Sequence, residues 1–335
     1  MDGRGFVNEL RYRTAEQRLW AANGVRPAEQ RIHLRRTGAD VRVQEVGAGP
    51  PILFVHGANT SGASWIALSA RLPDFRCLIV DRPGTGLSVP LSGRLDAERV
   101  ARLGDDFVAD VLDALAISEA HLVATSLGGY IALRSAAAHG DRLLRMVQFS
   151  WPVGAPTAWL PMVMRISAIP GLGRLMASLP ATNRSVRMMF RQIGHRASLE
   201  DGRITRVDLD AYLALLRETP TLREDHRIAR VFVSPRHGLN RALLSIELLG
   251  QVDTPIHFLW GEHDPFGGPA TGRLLVEALS RASLEVVPDA GHAPWLDQLD
   301  FCASRVREYL SDGASGSAHE AAGAVATPGD RGGQP

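Results

Sequence analysis

The stretch Val123-Ala124-Thr125-Ser126-Leu127-Gly128-Gly129 decides how the rest of this chain is read. It closes an apolar run, His121 to Ala124, and opens an apolar helical pattern from Tyr130 to Ala138. A serine set between a buried strand and a helix, among small neighbours, can occupy a sharp strained turn that holds its hydroxyl clear of the sheet. The usual spacing places glycine two residues before and two residues after that serine. Here Ala124 takes the first of those places, a departure of one methyl group that a tight turn can absorb. The string by itself is a weak signal, because Ser/Gly stretches also open ordinary helices, where Ser126 would be no more than a cap.

Working outward, the same kind of apolar run recurs at Pro51–Val55, Cys77–Val80, Leu144–Phe149, Ile256–Trp260 and Leu284–Val287. Continuous apolar runs of this length mark strands buried on both faces, as in a parallel sheet. Gln30–Leu34 and Val41–Val46 instead alternate around a Thr37-Gly38-Ala39-Asp40 turn and predict a hairpin. Helical spacing connects Val100, Leu103, Phe107, Val111 and Leu115, and again Leu296, Leu299, Cys302, Val306 and Leu310. Strands alternating with amphipathic helices predict an α/β fold with right-handed crossovers. The alternation lapses for roughly a hundred residues between Pro152 and Gly250. That stretch reads as helical, with no clear strand, and is punctuated by prolines. The expected organisation is a polar N-terminal arm over 1–29 with a short helix near Ala15–Ala22, a core over 30–151 and 251–310, a helical cap over 152–250, and a disordered Gly/Ala/Ser-rich tail over 311–335.

A serine hydroxyl is a poor nucleophile near neutral pH and needs a base, with a carboxylate to orient that base. Ile256–Trp260 runs into Gly261-Glu262-His263-Asp264-Pro265, which puts an acid just beyond a buried strand. Leu284–Val287 runs into Pro288-Asp289-Ala290-Gly291-His292-Ala293-Pro294-Trp295, which puts a histidine on the loop before the last helix. Ser126, Asp264 and His292 thus all follow parallel strands, where open α/β sheets carry their sites.

With these motifs in place the chain resembles the α/β-hydrolase superfamily over roughly residues 30–310. The order Ser126, Asp264, His292 is that family's order. His56-Gly57-Ala58-Asn59 is similar to its oxyanion loop, and Asp81-Arg82-Pro83-Gly84-Thr85-Gly86-Leu87-Ser88 to its glycine-rich turn after the fourth strand. The resemblance implies a mostly parallel eight-stranded sheet with helices on both faces and a helical cap. It also implies an oxyanion hole made by the backbone N–H groups of Ala58 and Leu127. Relatives that open epoxides or displace halides carry a carboxylate at the elbow, so Ser126 argues against both activities.

Other readings of these residues are blander. Asp81 to Gly86 could cradle phosphate, but no Lys-Ser/Thr follows, so a structural turn is expected. Glu262, His263 and Asp264 are consecutive and rarely could converge on one ion, so no metal is expected. His56 is expected to brace its turn and His257 to be a satisfied core histidine. Cys77 and Cys302 fit no metal or redox spacing and are expected to be buried thiols of a cytoplasmic protein.

Composition closes further routes. The 37 basic residues are all arginine, against 36 acidic residues, for a net charge of +1. Without lysine there can be no lysine Schiff base, PLP attachment or Walker A lysine. Near-neutral charge speaks against nucleic acid as a partner, and the absence of long apolar runs against stable membrane anchoring. Five of the seven methionines, Met162, Met164, Met176, Met188 and Met189, fall in the expected cap. With Trp151, Trp159 and Leu160 they suggest an apolar roof over a pocket, with Asn59, Trp151, Met162 and Phe266 expected to line it.

The reading is a serine hydrolase, requiring no cofactor, that cleaves an ester, lactone or thioester of a small to medium apolar substrate. The alternatives are a carbon–carbon bond hydrolase of diketones or a cofactor-free haloperoxidase-like enzyme using the same triad, and a non-catalytic ligand-binding member of the fold.

Overall fold

A computed structural model describes residues 8–155, 169, 171, 175, 179–234, 236 and 238–322 of the chain. Ten strands are found among them: β1 (Ala28–Leu34), β2 (Ala39–Val46), β3 (Pro51–Val55), β4 (Arg76–Val80), β5 (Ala120–Thr125), β6 (Leu143–Phe149), β7 (Val233–Ser234), β8 (Gly238–Leu239), β9 (Ile256–Gly261) and β10 (Ala282–Val287). Eight of them form one sheet in the order β1-β2-β4-β3-β5-β6-β9-β10. β2 runs antiparallel to both β1 and β4, and every other neighbouring pair is parallel. The apolar runs are therefore the parallel strands, and the alternating segment is the antiparallel edge hairpin. β7 and β8 form a separate two-residue ladder inside the stretch that showed no strand pattern. Segments that short carry no periodicity to read.

The helices follow in chain order. The first is α1 (Glu9–Ala22), with α2 (Ala97–Ala114) between β4 and β5, and α3 (Ser126–His139) after β5. Between β6 and β7 come α4 (Asn183–Gln192), α5 (Arg196–Glu200), α6 (Arg206–Glu218) and α7 (Thr221–Phe232). α8 (Pro269–Glu277) joins β9 to β10, and α9 (Leu299–Ala322) ends the described chain. Side chains alternate across the sheet, as the two-residue period of a strand requires. Leu53 and Val55 pack with α2, α3 and α8 on one face, while Ile52 and Phe54 pack with α1 and α9 on the other. Both cores are apolar, which is why β3 shows no polar alternation.

Two parts of the expected organisation need correction. α9 continues helically to Ala322, twelve or so residues into the stretch read as a tail; the remainder, 323–335, lies outside the described residues. The helix of the N-terminal arm is longer than expected and packs against the core. α1 starts at Glu9 with Asn8 accepting from the Arg11 N–H, and it buries Tyr12, Glu16, Leu19 and Trp20. Glu16 interrupts that buried stripe with a charge, so apolar spacing alone understated the helix. Inside, Glu16 meets Arg42 at 2.6 Å, and Arg42 meets Asp81 at 2.7 Å. Asp81 also accepts from the Gly62 and Leu87 N–H groups at 2.8 and 3.0 Å. Its carboxylate thereby braces the turn after β4.

Cys77 and Cys302 are both free thiols and buried. Burial pushes the Cys77 thiol up to about 12 and raises that of Cys302 as well, so neither is poised to react. Among the described residues no helix is long and apolar enough to cross a membrane.

Candidate active site

Ser126 has φ of +53°, an unusual backbone for a residue with a side chain, and begins α3 directly after the extended Thr125. Such a conformation costs on the order of 1–3 kcal/mol and persists where the surroundings over-determine it. A Cβ at Gly128 would lie 2.1 Å from the Val55 carbonyl oxygen, so the helix start sits hard against the end of β3. The Ser126 carbonyl accepts from the Val153 N–H at 3.0 Å. The helix is capped by position at Thr125, with no side-chain capping bond, so Ser126 does not serve as a cap. Ala124, in place of the usual glycine, is fully buried in β5.

His292 and Asp264 meet at the ends of β10 and β9. The His292 Nδ1–H donates to Asp264 Oδ2 at 3.0 Å, the tautomer following from the acceptor it faces. Asp264 is buried and held by two backbone donors: Trp151 N–H on Oδ2 at 3.1 Å and Phe266 N–H on Oδ1 at 2.9 Å. These donors orient the carboxylate. The other ring nitrogen of His292, Nε2, is buried without a hydrogen-bond partner among the described residues. Ser126 and His292 line the same cavity but are not hydrogen-bonded to each other. Such bonds commonly tighten only when substrate is present.

The loop after β3 supplies the third part. Neither Ala58 nor Leu127 gives its N–H to a backbone acceptor among the described residues, apart from bonds inside helices and strands. The next N–H, that of Asn59, is taken by Asp225 Oδ2 at 2.5 Å. Asp225 comes from α7 and pairs with Arg82 at 2.9 Å, while Arg82 also donates to the His56 and Gly57 carbonyls. Burial raises the Asp225 carboxyl, an effect opposed by Arg82. His56 is fully buried. Its Nδ1 donates to the Gly57 carbonyl, and its Nε2 accepts from the Arg82 N–H at 3.0 Å. Burial, then Arg82, holds its imidazole well below the usual range and therefore neutral. His56 braces its turn, as the sequence suggested. His257 is also satisfied, bonding Ser283 Oγ at 2.8 Å, but it is only half-buried.

The cavity between these loops and the insertion measures about 680 Å³. Asn59, Trp151 and Phe266 all line it. Met162 lies outside the described residues, as do Met164, Met176, Trp159 and Leu160. Of the remaining cap methionines, Met189 lines the cavity and Met188 is exposed. Phe266 stands edge-on to the His292 ring at 4.5 Å and stacks on Trp151 at 5.6 Å. The residues that sequence reasoning missed are Asp225, His195 and Asp297. Asp297 lies five positions beyond His292 in the chain, but His195 and Asp225 stand on the insertion, with no motif around them.

Glu262 and His263 turn away from the cavity. With Asp289 they form an exposed group whose donor atoms lie within 4.8 Å of one another, while Asp264 points inward to His292. Of the three consecutive residues, Glu262 and His263 thus converge with Asp289, and Asp264 alone points away from them.

Residues 52–305 match the alpha/beta hydrolase family. A pimeloyl-[acyl-carrier protein] methyl ester esterase of Chromobacterium violaceum is 30% identical over 279 residues, 80% of this chain and 97% of that protein. A 2-hydroxy-6-oxononadienedioate/2-hydroxy-6-oxononatrienedioate hydrolase of Cupriavidus pinatubonensis is 26% identical over 277 residues, 80% of this chain and 86% of that protein. Among solved structures, a carboxylesterase of Bacillus subtilis superposes with a TM-score of 0.69 at 20% identity, covering 90% of this chain and 98% of that one.

Proposed function

The chain belongs to the alpha/beta hydrolase family, and from that premise we propose that it is a serine hydrolase cleaving a neutral, mainly apolar ester through an acyl-Ser126 intermediate. The observation that carries the reading is the His292 pair: Nδ1 committed to a buried, doubly held Asp264, and Nε2 left unpartnered beside the cavity that Ser126 lines. A base needs that arrangement, one nitrogen fixed and the other available.

In the proposed reaction His292 Nε2 takes the Ser126 hydroxyl proton as Oγ bonds to the substrate carbonyl carbon. The carbonyl π electrons move to oxygen, and the oxyanion rests on the Ala58 and Leu127 N–H groups. Preorganised donors of this kind are worth about 3–4 kcal/mol each in the transition state. The carbonyl reforms as the ester C–O bond breaks, and the proton on Nε2 passes to the departing alkoxide. Water then repeats the sequence on the acyl-serine, releasing the acid. Asp264 keeps its charge throughout and stabilises the imidazolium.

The cavity supports an apolar, neutral substrate. Its titratable described lining, besides His292, is Asp208, Tyr212, Asp225 and His226, and no described lining residue is an arginine. A dianionic substrate would meet the Asp208 and Asp225 carboxylates there and no described arginine. The second reading, carbon–carbon cleavage, is favoured by the likeness to the Cupriavidus hydrolase. The lining argues for the ester.

The test is intact-mass analysis after treatment with a fluorophosphonate, on wild type and Ser126→Ala. One adduct on wild type and none on the variant is expected; a folded wild type without an adduct overturns the reading. Turnover of p-nitrophenyl acyl esters against a 2-hydroxy-6-oxo dienedioate, followed by product mass, decides between ester and carbon–carbon cleavage.

A further inference from the structure

The loop that carries His292 has three successive backbone N–H groups, two with acceptors on the insertion and one on Asp297, which is itself bonded to the insertion. Gly291 N–H donates to Asp297 Oδ2 at 2.8 Å, His292 N–H to the Ile193 carbonyl at 2.9 Å, and Ala293 N–H to His195 Nε2 at 3.2 Å. Since His195 Nε2 accepts, its proton resides on Nδ1, which donates to Asp297 Oδ2 at 2.7 Å. Ser198 donates to the other oxygen of Asp297. His195 and Ser198 are fully buried, and Asp297 nearly so. The two backbones also touch directly: a Cβ at Gly291 would lie 2.6 Å from the Ile193 carbonyl oxygen and 2.7 Å from the Gly194 carbon. This loop and residues 193–195 therefore have no room to shift independently.

We infer that His195 is a positioning residue for the reaction, setting the ring of His292 through the Ala293 N–H while Asp297 fixes the His195 ring. The inference rests on the serine-hydrolase reading. His195 sits outside the cavity lining and takes no proton from substrate. It acts only through the loop. A misplacement of about 1 Å in a catalytic group can cost on the order of a hundredfold in rate.

Two substitutions separate its two bonds. His195→Asn keeps a donor toward Asp297 but leaves the Ala293 N–H without an acceptor. His195→Gln keeps an amide oxygen within reach of the Ala293 N–H. The readouts are the rate of Ser126 labelling by a fluorophosphonate and the separate kcat and KM for p-nitrophenyl butyrate, with folding checked by near-UV circular dichroism. The expected result is a ten- to hundredfold loss in labelling rate and kcat for His195→Asn, with KM within about twofold, and recovery to within about threefold of wild type for His195→Gln. Ser198→Ala, which removes a donor from Asp297 alone, should fall between them. Equal labelling rates in folded His195→Asn and wild type overturn the inference while leaving the serine reading intact, as does a His195→Gln variant no faster than His195→Asn. Failure of wild type itself to label overturns the serine reading and the inference with it.

Discussion

Two buried histidine–aspartate pairs stand side by side in this molecule and differ in one bond. In each, Nδ1 donates to a buried carboxylate, at 3.0 Å for His292 and Asp264 and at 2.7 Å for His195 and Asp297. Among the described residues His292 leaves Nε2 without a partner beside a cavity, whereas His195 Nε2 accepts from a backbone N–H. The chemistry available to the two rings is the same until that second nitrogen is considered. One can accept a proton from a reacting group and the other is occupied in holding a loop. A His–Asp pair is thus not in itself evidence of catalysis; the fate of the second nitrogen decides.

The sharpest way to break the comparison is to remove the residues on the open side. Ser126→Ala or His292→Ala should lower kcat by about five to six powers of ten, measured on p-nitrophenyl esters, with the melting temperature little changed. A His292→Ala variant that kept a tenth of the activity would mean that Nε2 is idle. Asp264→Asn should lower kcat by about 10³–10⁴ at unchanged circular dichroism, since the amide favours the wrong tautomer of His292. Its counterpart on the closed side, Asp297→Ala, should register in folding as well. It strands the His195, Ser198 and Gly291 donors, and a loss of about 3 kcal/mol or more is expected in urea denaturation. A stable Asp297→Ala protein would break the parallel.

A histidine with no carboxylate supplies the reference case. His121 in β5 is buried, its Nδ1 has no partner among the described residues, and burial with nearby Arg145 pushes it down to about 4. Its folded value lies below the unfolded one near 6.5, so the unfolded chain binds the proton first as pH falls. Stability should drop between about pH 6.5 and pH 4 and then level off as far as this group is concerned. A shift from 6.5 to about 4 corresponds to roughly 3 kcal/mol at most. His121→Leu should remove about 2 kcal/mol of that slope in urea titrations at pH 7 and pH 4.5. His56, shifted the same way, keeps part of the slope in the variant. An unchanged slope would place the acid sensitivity elsewhere.

Much of the sheet was legible because parallel strands buried on both faces must be apolar, and each run from Pro51 to Val287 said so. Ser126, Asp264 and His292 were legible because each follows such a run. The strain at Ser126 was implied by its small neighbours, and the structure adds the contact with Val55 that explains Gly128. What escaped reading shares a cause. Glu16, His195 and Asp225 are polar residues whose burial depends on partners far along the chain, at Arg42, Asp297 and Arg82. Local spacing carries no trace of a contact that the fold creates, so a buried Glu16 looked like any solvated helix residue. The two-residue strands β7 and β8 escaped for a simpler reason, being too short to show a period.

The seating of Gly194 on Gly291 has a consequence for how such proteins could be recombined. A chimera that exchanged residues 152–250 with those of a relative would change more than the pocket roof. It would remove the His195 and Asp225 side chains from the Ala293 and Asn59 N–H groups and reseat the Ile193 carbonyl beneath His292, unhooking both loops at once. Transplanting substrate preference here means transplanting those three attachment points with it, and a graft that matched only the cavity wall would inherit a folded sheet with an unsupported His292.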